Sequence, residues 1–173
     1  MDTDLPFLTR RGSIGDFTAA YRPADATTIP LLLLNAVGRK DLPSRYEVSG
    51  ILLDDGADAS ETNDEGENAL HVLFGQVKHD LPAEVALAAR LIDAGADVNA
   101  LDSKQRLPLQ AIVNLKFDDE ALSPLYDLWF AQPGLDVTTK NAWGFSPLDL
   151  ARKFPYRAAL VARMEGVVES HLG

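Results

Sequence analysis

Three histidines and a few paired carboxylates are the side chains of this 173-residue chain that could move protons or hold a metal. His79 is followed by Asp80, His71 lies eight residues earlier, and His171 stands near the C-terminus. A hydrolytic or metal site would have to be built from His71, His79 and Asp80, and the separation of the two imidazoles matches no zinc-ligand spacing. Asp54-Asp55 and Asp118-Asp119-Glu120 could share a proton or a cation. They fall where helices begin or end, however, and charge there is ordinarily solvated or set against a helix dipole. The chain has no cysteine, so thiol nucleophiles, disulfides and thiolate metal sites are excluded. Gly66, Gly95 and Gly144 belong to turns, and no glycine-rich phosphate loop follows a strand. The expectation is a non-enzyme with no catalytic residues, no cofactor and no metal.

The organisation that would position any site is an internal repeat. Leu31, Leu70, Leu109 and Leu148 are each 39 residues apart, and Gly56-Ala57-Asp58, Gly95-Ala96-Asp97 and Gly134-Leu135-Asp136 keep the same interval. Asp41-Leu42-Pro43 and Asp80-Leu81-Pro82 keep it again. Each landmark has a local reading. Thr28-Ile29-Pro30-Leu31, Asn68-Ala69-Leu70-His71, Leu107-Pro108-Leu109-Gln110 and Ser146-Pro147-Leu148-Asp149 open short apolar helices, with a polar cap before a proline or alanine in the first turn. Second helices are predicted from near Pro43, Pro82 and Ser123-Pro124. They place Val48, Leu52 and Leu53, then Leu87, Leu91 and Ile92, then Tyr126, Phe130 and Ala131 at matched positions. The following glycine closes each second helix by taking a left-handed conformation. Polar stretches containing Asp64-Glu65-Gly66, Asp102-Ser103-Lys104 and Asn141-Ala142-Trp143-Gly144 then supply turns.

Helix, turn, helix and protruding hairpin in series resembles the ankyrin-repeat family. The stretch Asn63-Asp64-Glu65-Gly66-Glu67-Asn68-Ala69-Leu70-His71 is similar to the opening of that family's repeat, and Leu91 to Ala100 is similar to its ending. Asn141 to Ala151 is a third match. The resemblance implies an all-α repeat solenoid of four ankyrin repeats, at about 24–62, 63–101, 102–140 and 141–173, within a domain spanning 24–173. The family period is shorter by six residues. The extra residues fall between the paired helices, around Gly38 to Pro43, Gln76 to Pro82 and Lys116 to Ser123. The last repeat returns to the shorter spacing, as suits a C-terminal cap. Residues 1–23 lie outside the period. Ser13 to Tyr21 is predicted as an N-terminal capping helix ended by Arg22-Pro23, and residues 1–10 as a loose tail. His71 takes the place of the family's helix-opening histidine, a structural role.

The resemblance further implies that hairpin tips and the exposed sides of the first helices form one concave partner-binding surface. The matching positions are Asp64, Glu65 and Glu67; then Ser103, Lys104 and Arg106; then Ala142, Trp143 and Phe145. The first helices add Gln76, Asn114 and Lys153. Trp143 and Phe145 flank a turn glycine and read either as interface anchors or as local packing. Trp129, on a second helix, reads as core. The first full hairpin gathers Asp58, Glu61, Asp64, Glu65 and Glu67, either a solvated acidic loop or a surface for lysines and arginines.

The net charge is −10 and the sequence pI about 4.6. Such a surface repels phosphate backbones and anionic lipid and steers a basic protein inward, or else serves solubility alone. No run of residues is long enough for a membrane span, and the acidic Met1-Asp2-Thr3-Asp4 does not begin a secretory signal. The expected setting is cytoplasmic and the expected state monomeric. The leading expectation is a binding module that masks or neutralises a partner protein, in the manner of the ankyrin-type immunity proteins of bacterial toxin systems. A scaffold or regulatory adaptor and a structural homo-oligomer seamed by Trp143 and Phe145 are the alternatives.

Overall fold

Every regular element among residues 4–173, which the computed structural model describes, is helical. These residues fall into two compact units, one ending at Asp97 and one running from Val98 to Gly173. Among the described residues no helix is long and apolar enough to cross a membrane.

The first unit opens with a helix where a loose tail is expected from the sequence. Helix α1 (Leu5–Arg11) starts at Asp4, whose carboxylate accepts the Phe7 N–H at 3.0 Å. Pro6 sits in the first turn, where its missing N–H has no partner to lose, and Leu5 and Thr9 are buried. Residues 1–3 of the expected tail lie outside the described residues. Helix α2 (Ile14–Ala20) is the predicted capping helix, begun by the Ser13 hydroxyl on the Asp16 N–H. It buries Phe17, which stacks on Tyr21 at 4.8 Å between ring centroids. A short helix α3 (Asp25–Thr28) follows.

Two helix pairs complete this unit. Helices α4 (Leu32–Val37) and α5 (Leu42–Asp54) form one, and α6 (Ala69–Phe74) and α7 (Leu81–Asp93) the other. α4 packs on α6 and α5 on α7, while α1 covers α4. Val48, Leu52, Leu70, Leu73 and Leu91 are fully buried between them. The carboxylates of Asp41 and Asp80 cap α5 and α7. Gly56 (φ 87°) and Gly95 (φ 109°) close these helices as the repeat predicts. The N–H groups of Ala57 and Ala96 reach back to Leu52 and Leu91 at 2.9 Å, a closure only a left-handed residue permits.

The first pair departs from expectation at its start. Thr28 ends α3 rather than capping α4, its hydroxyl donating to the Ala24 carbonyl. Leu31 is itself left-handed (φ 64°), so α4 begins one residue later, and the Leu31 N–H donates to Glu61 Oε2 at 2.9 Å. A polar cap therefore opens only the second and fourth short helices. Asn68 accepts the Leu70 and His71 N–H groups, and Ser146 accepts that of Asp149.

The second unit contains α8 (Pro108–Val113), α9 (Asp119–Phe130), α10 (Pro147–Arg152), a 3-10 turn (Pro155–Arg157) and α11 (Ala158–Leu172). α8 packs on α10 and α9 on α11. Helix α9 starts earlier than Ser123-Pro124, because Asp118 caps it at the Ala121 N–H, 2.8 Å away. Asp119 and Glu120 complement its first turn, and the exposed Pro124 is carried inside the helix. Trp129 is core, fully buried. His171 lies in the last turn of α11.

Candidate functional site

The tips that the sequence marks for partner binding are built on one turn used three times. In the first unit the Asn63 side chain accepts the N–H groups of Glu65 and Glu67, both at 3.0 Å. Its backbone N–H donates to the Glu67 carbonyl, and Gly66 N–H donates back to the Asn63 carbonyl. In the second unit Asp102 does the same for Lys104 and Arg106, both at 2.9 Å. Asn141 repeats it for Trp143 and Phe145 at 3.0 and 3.1 Å. Positions 63, 102 and 141 are one repeat apart, and each is an Asn or Asp because only a short side-chain acceptor can reach N–H groups two and four residues on. Burial acts to raise the Asp102 carboxyl, but the N–H and guanidinium of Arg106 and the N–H of Lys104 outweigh it and hold the group below its ordinary value.

What the turns present differs. Asp64 and Glu65 are exposed on the first, Ser103 and Lys104 on the second, Ala142 and Trp143 on the third. Trp143 is 59% exposed. Within the second unit the Ala142 N–H donates to the Lys104 carbonyl at 2.9 Å, and the Lys104 ammonium lies 5.6 Å from the Trp143 ring centroid. The Lys153 ammonium stands 3.4 Å from the centre of the half-buried Phe145 ring. Lys104, Trp143, Phe145 and Lys153 thus form a cation–aromatic patch held by two neighbouring turns and the end of α10.

Other predicted site residues are engaged locally. Arg106 donates to Asp102 Oδ2 at 2.6 Å, and Glu67 accepts from the Asn63 side-chain amide at 3.0 Å. Gln76 and Asn114 bond to the Val72 and Gln110 carbonyls at the ends of α6 and α8. His71 takes its structural place, its Nδ1 accepting the Asn68 N–H at 3.1 Å.

Sequence reasoning passed over two buried polar clusters. In the first unit Glu84 Oε1 is reached by Arg45 Nη1 at 2.9 Å, by the Tyr46 hydroxyl at 2.8 Å and by His79 Nδ1 at 3.2 Å. Arg45 also donates to the Arg39 and Lys78 carbonyls, both at 2.8 Å. Burial, with the Glu84 carboxylate adding to it, pushes the Tyr46 phenol up to about 12. In the second unit the fully buried Arg157 donates to the carbonyls of Val113 (2.9 Å), Phe117 (2.8 Å) and Leu115, and pairs with Asp119 at 3.3 Å. The one sequence signal for the first cluster is that Arg45 and Glu84 are one repeat apart.

A histidine beside a glutamate has the parts of a general base and its orienting group. Both side chains here are almost wholly buried, at 3% and 0% exposure. Among the described residues no group of three or more His, Asp or Glu is arranged to hold a metal ion.

Charge is divided unevenly. The first unit carries 17 acidic and 8 basic residues, a net −9, and the second 9 acidic and 8 basic, a net −1.

No protein-family model matches the sequence, and no curated protein matches it. A solved structure described as a functionally unknown protein from Leptotrichia buccalis C-1013-b is similar, with a TM-score of 0.87 over 98% of this chain and 94% of that one, at 23% sequence identity. The likeness is one of fold. In all, 281 solved chains match, and a likeness of fold leaves function to be argued from the side chains.

Proposed function

We propose that the chain is an ankyrin-repeat protein whose function is the non-catalytic binding and masking of another protein, in the manner of an immunity protein set against a toxin. The observation that carries this reading is the contrast within the three turns. Their hydrogen bonds repeat at Asn63, Asp102 and Asn141, while the side chains they expose change from carboxylates to Ser-Lys to Ala-Trp. A frame kept constant beneath tips of varied chemistry is what recognition by a scaffold requires. The exposed Trp143, its backbone fixed by Asn141, suits an interface anchor, since a tryptophan ring loses little conformational freedom on binding. The acidic hairpin of the first unit would meet a basic surface and speed the encounter.

The test is affinity capture from a lysate of the native host with the tagged chain and its Trp143→Ala/Phe145→Ala variant. A stoichiometric basic partner, retained by the native sequence and weakened at least about tenfold in the variant, is expected for loss of a hot spot. Equal capture by both would remove the aromatic patch from the interface. An empty capture with a dimer by light scattering would replace the reading with self-association.

A further inference from the structure

Six of the eight basic residues of the strongly acidic first unit line two cavities at its inter-helix loops. One, of about 270 Å³, is walled by Arg10, Arg11, Gly38, Arg39, Lys40 and Asp41. The other, of about 250 Å³, is walled by Lys40, Arg45, Gln76, Val77 and Lys78. Lys40 belongs to both. Arg10, Arg11, Lys40 and Lys78 are exposed and form no ion pair among the described residues. Like charges left together on a surface of opposite net sign repel one another, and an anion seated between them would relieve that repulsion.

Arg39 sharpens the argument. It is 5% exposed, and its guanidinium donates to the carbonyls of Leu8 (3.2 Å), Thr9 (2.6 Å) and Gly12, with no carboxylate in ion-pair reach and Nε left without an acceptor. A buried cation whose hydrogen bonds go to carbonyls, with Asp41 as its one neighbouring carboxylate, leaves positive potential beneath the first cavity. Asp41 is the single carboxylate in either wall, and it is committed to capping α5 through the hydroxyl and N–H of Ser44.

We infer that this edge is a binding site for a condensed phosphate, with one phosphoryl group beside Arg10, Arg11 and Lys40 and the next beside Lys40 and Lys78. Guanidinium forks match phosphoryl oxygens two at a time, and the shared lysine fits adjacent anionic groups. Each cavity falls just below the range of about 300–1,000 Å³ usual for drug-sized ligands and suits a phosphoryl group better than a ring system. No aromatic side chain lines either one, so nothing would stack a nucleobase, and the site reads charge and spacing alone.

The test is calorimetric titration of the full chain with inorganic tripolyphosphate at fixed ionic strength, with polyglutamate in a parallel arm. Tripolyphosphate is expected to bind and to raise the melting temperature. Lys40→Gln and Arg11→Gln should each weaken it by about tenfold, the worth of one charge-assisted contact. Arg90→Gln, which removes a cation of the same unit outside both cavities, and Trp143→Ala/Phe145→Ala should bind as the native chain does. Absence of binding, native affinity in Lys40→Gln, or polyglutamate binding as tightly as tripolyphosphate would each overturn the inference.

Discussion

Each of the two units buries an arginine at an inter-helix loop and sets a tyrosine and an acid beside it, yet only one of the two arrangements is complete. In the second unit both Asp119 oxygens are used. Oδ1 accepts from Tyr126 at 2.7 Å and from Arg157, and Oδ2 accepts the Ala159 N–H at 2.9 Å. In the first unit Glu84 Oε1 meets Arg45, Tyr46 and His79 together, while Oε2 is buried with no hydrogen-bond partner. The shared part answers a common difficulty. Loops between paired helices bury carbonyls that no helix can satisfy, and a guanidinium with five donors satisfies two or three at once. The difference teaches that the carbonyl clamp is the shared structural requirement, whereas the acid is tied in through both oxygens in one unit and through one oxygen in the other.

The largest expected effect follows from that distinction. Arg45→Met and Arg157→Met should each destabilise the chain by about 3–5 kcal/mol, measured by urea unfolding, because each orphans buried carbonyls and strips a carboxylate of its cation. The second substitution then separates the units. Adding Glu84→Met to Arg45→Met removes an uncompensated buried charge, though it takes the acceptor from the Tyr46 hydroxyl and leaves the Arg39 and Lys78 carbonyls orphaned, so it should recover part of the loss. Adding Asp119→Ala to Arg157→Met should recover nothing, since Tyr126 and Ala159 lose an acceptor as well. Equal recovery in both backgrounds would dissolve the comparison.

These clusters also mark where the sequence stops being readable. The period was legible because caps and turns are local chemistry, and local chemistry recurs as the same letters: Asp41 and Asp80, Gly56 and Gly95, Asn63, Asp102 and Asn141. The column containing the first clamp runs Arg45, Glu84, Ser123, Ala162, with no shared letter. Its partners are complementary between neighbouring repeats, and complementarity leaves no trace in a search for likeness. The opening pair was misplaced for a related reason. Residue 24 is alanine where the later turns have Asn63, Asp102 and Asn141, so no side chain can build the turn, and α3 with the left-handed Leu31 takes its place. Helix α1 lies ahead of the recurring letters, so no repeated residue announces it. The tip positions could be named from the sequence, but the cation–aromatic contacts on them depend on side chains meeting across two turns and at the end of α10.

Alkaline unfolding offers a smaller test of the two acids. Burial raises the phenols of Tyr46 and Tyr126, and the carboxylates of Glu84 and Asp119 raise them further. A folded-state pKa above the unfolded one contributes stability that is fully present below the unfolded value and is lost as pH climbs through the folded value. For Tyr46 that window runs from the ordinary 10.0 to about 12. Tyr126 is raised from the same starting value, so its contribution begins to fall at the same pH. Tyr46→Phe and Tyr126→Phe should therefore each flatten the fall in melting temperature above pH 10.0. An alkaline limb left unchanged by either substitution would mean that the acid beside that tyrosine does not hold its phenol.

The smallest effect concerns the turns. The left-handed position is glycine in two of them, Gly66 (φ 71°) and Gly144 (φ 84°), but Gln105 (φ 59°) in the middle one. A side chain there crowds the following carbonyl at a cost of roughly 1 kcal/mol, and glycine adopts the conformation freely. Gln105 is exposed, and what the turn uses of it is a backbone N–H that donates to the Asp102 carbonyl at 2.9 Å. Gln105→Gly should thus stabilise the second unit by about 0.5–1 kcal/mol, read as a higher urea midpoint with an unchanged slope. Gly144→Ala, with open space around the added carbon but the same left-handed backbone, should cost a similar amount in the opposite direction. If Gln105→Gly instead destabilised the chain, its side chain would have to be making a contact at the tip, and the three turns would no longer be one frame carrying different residues.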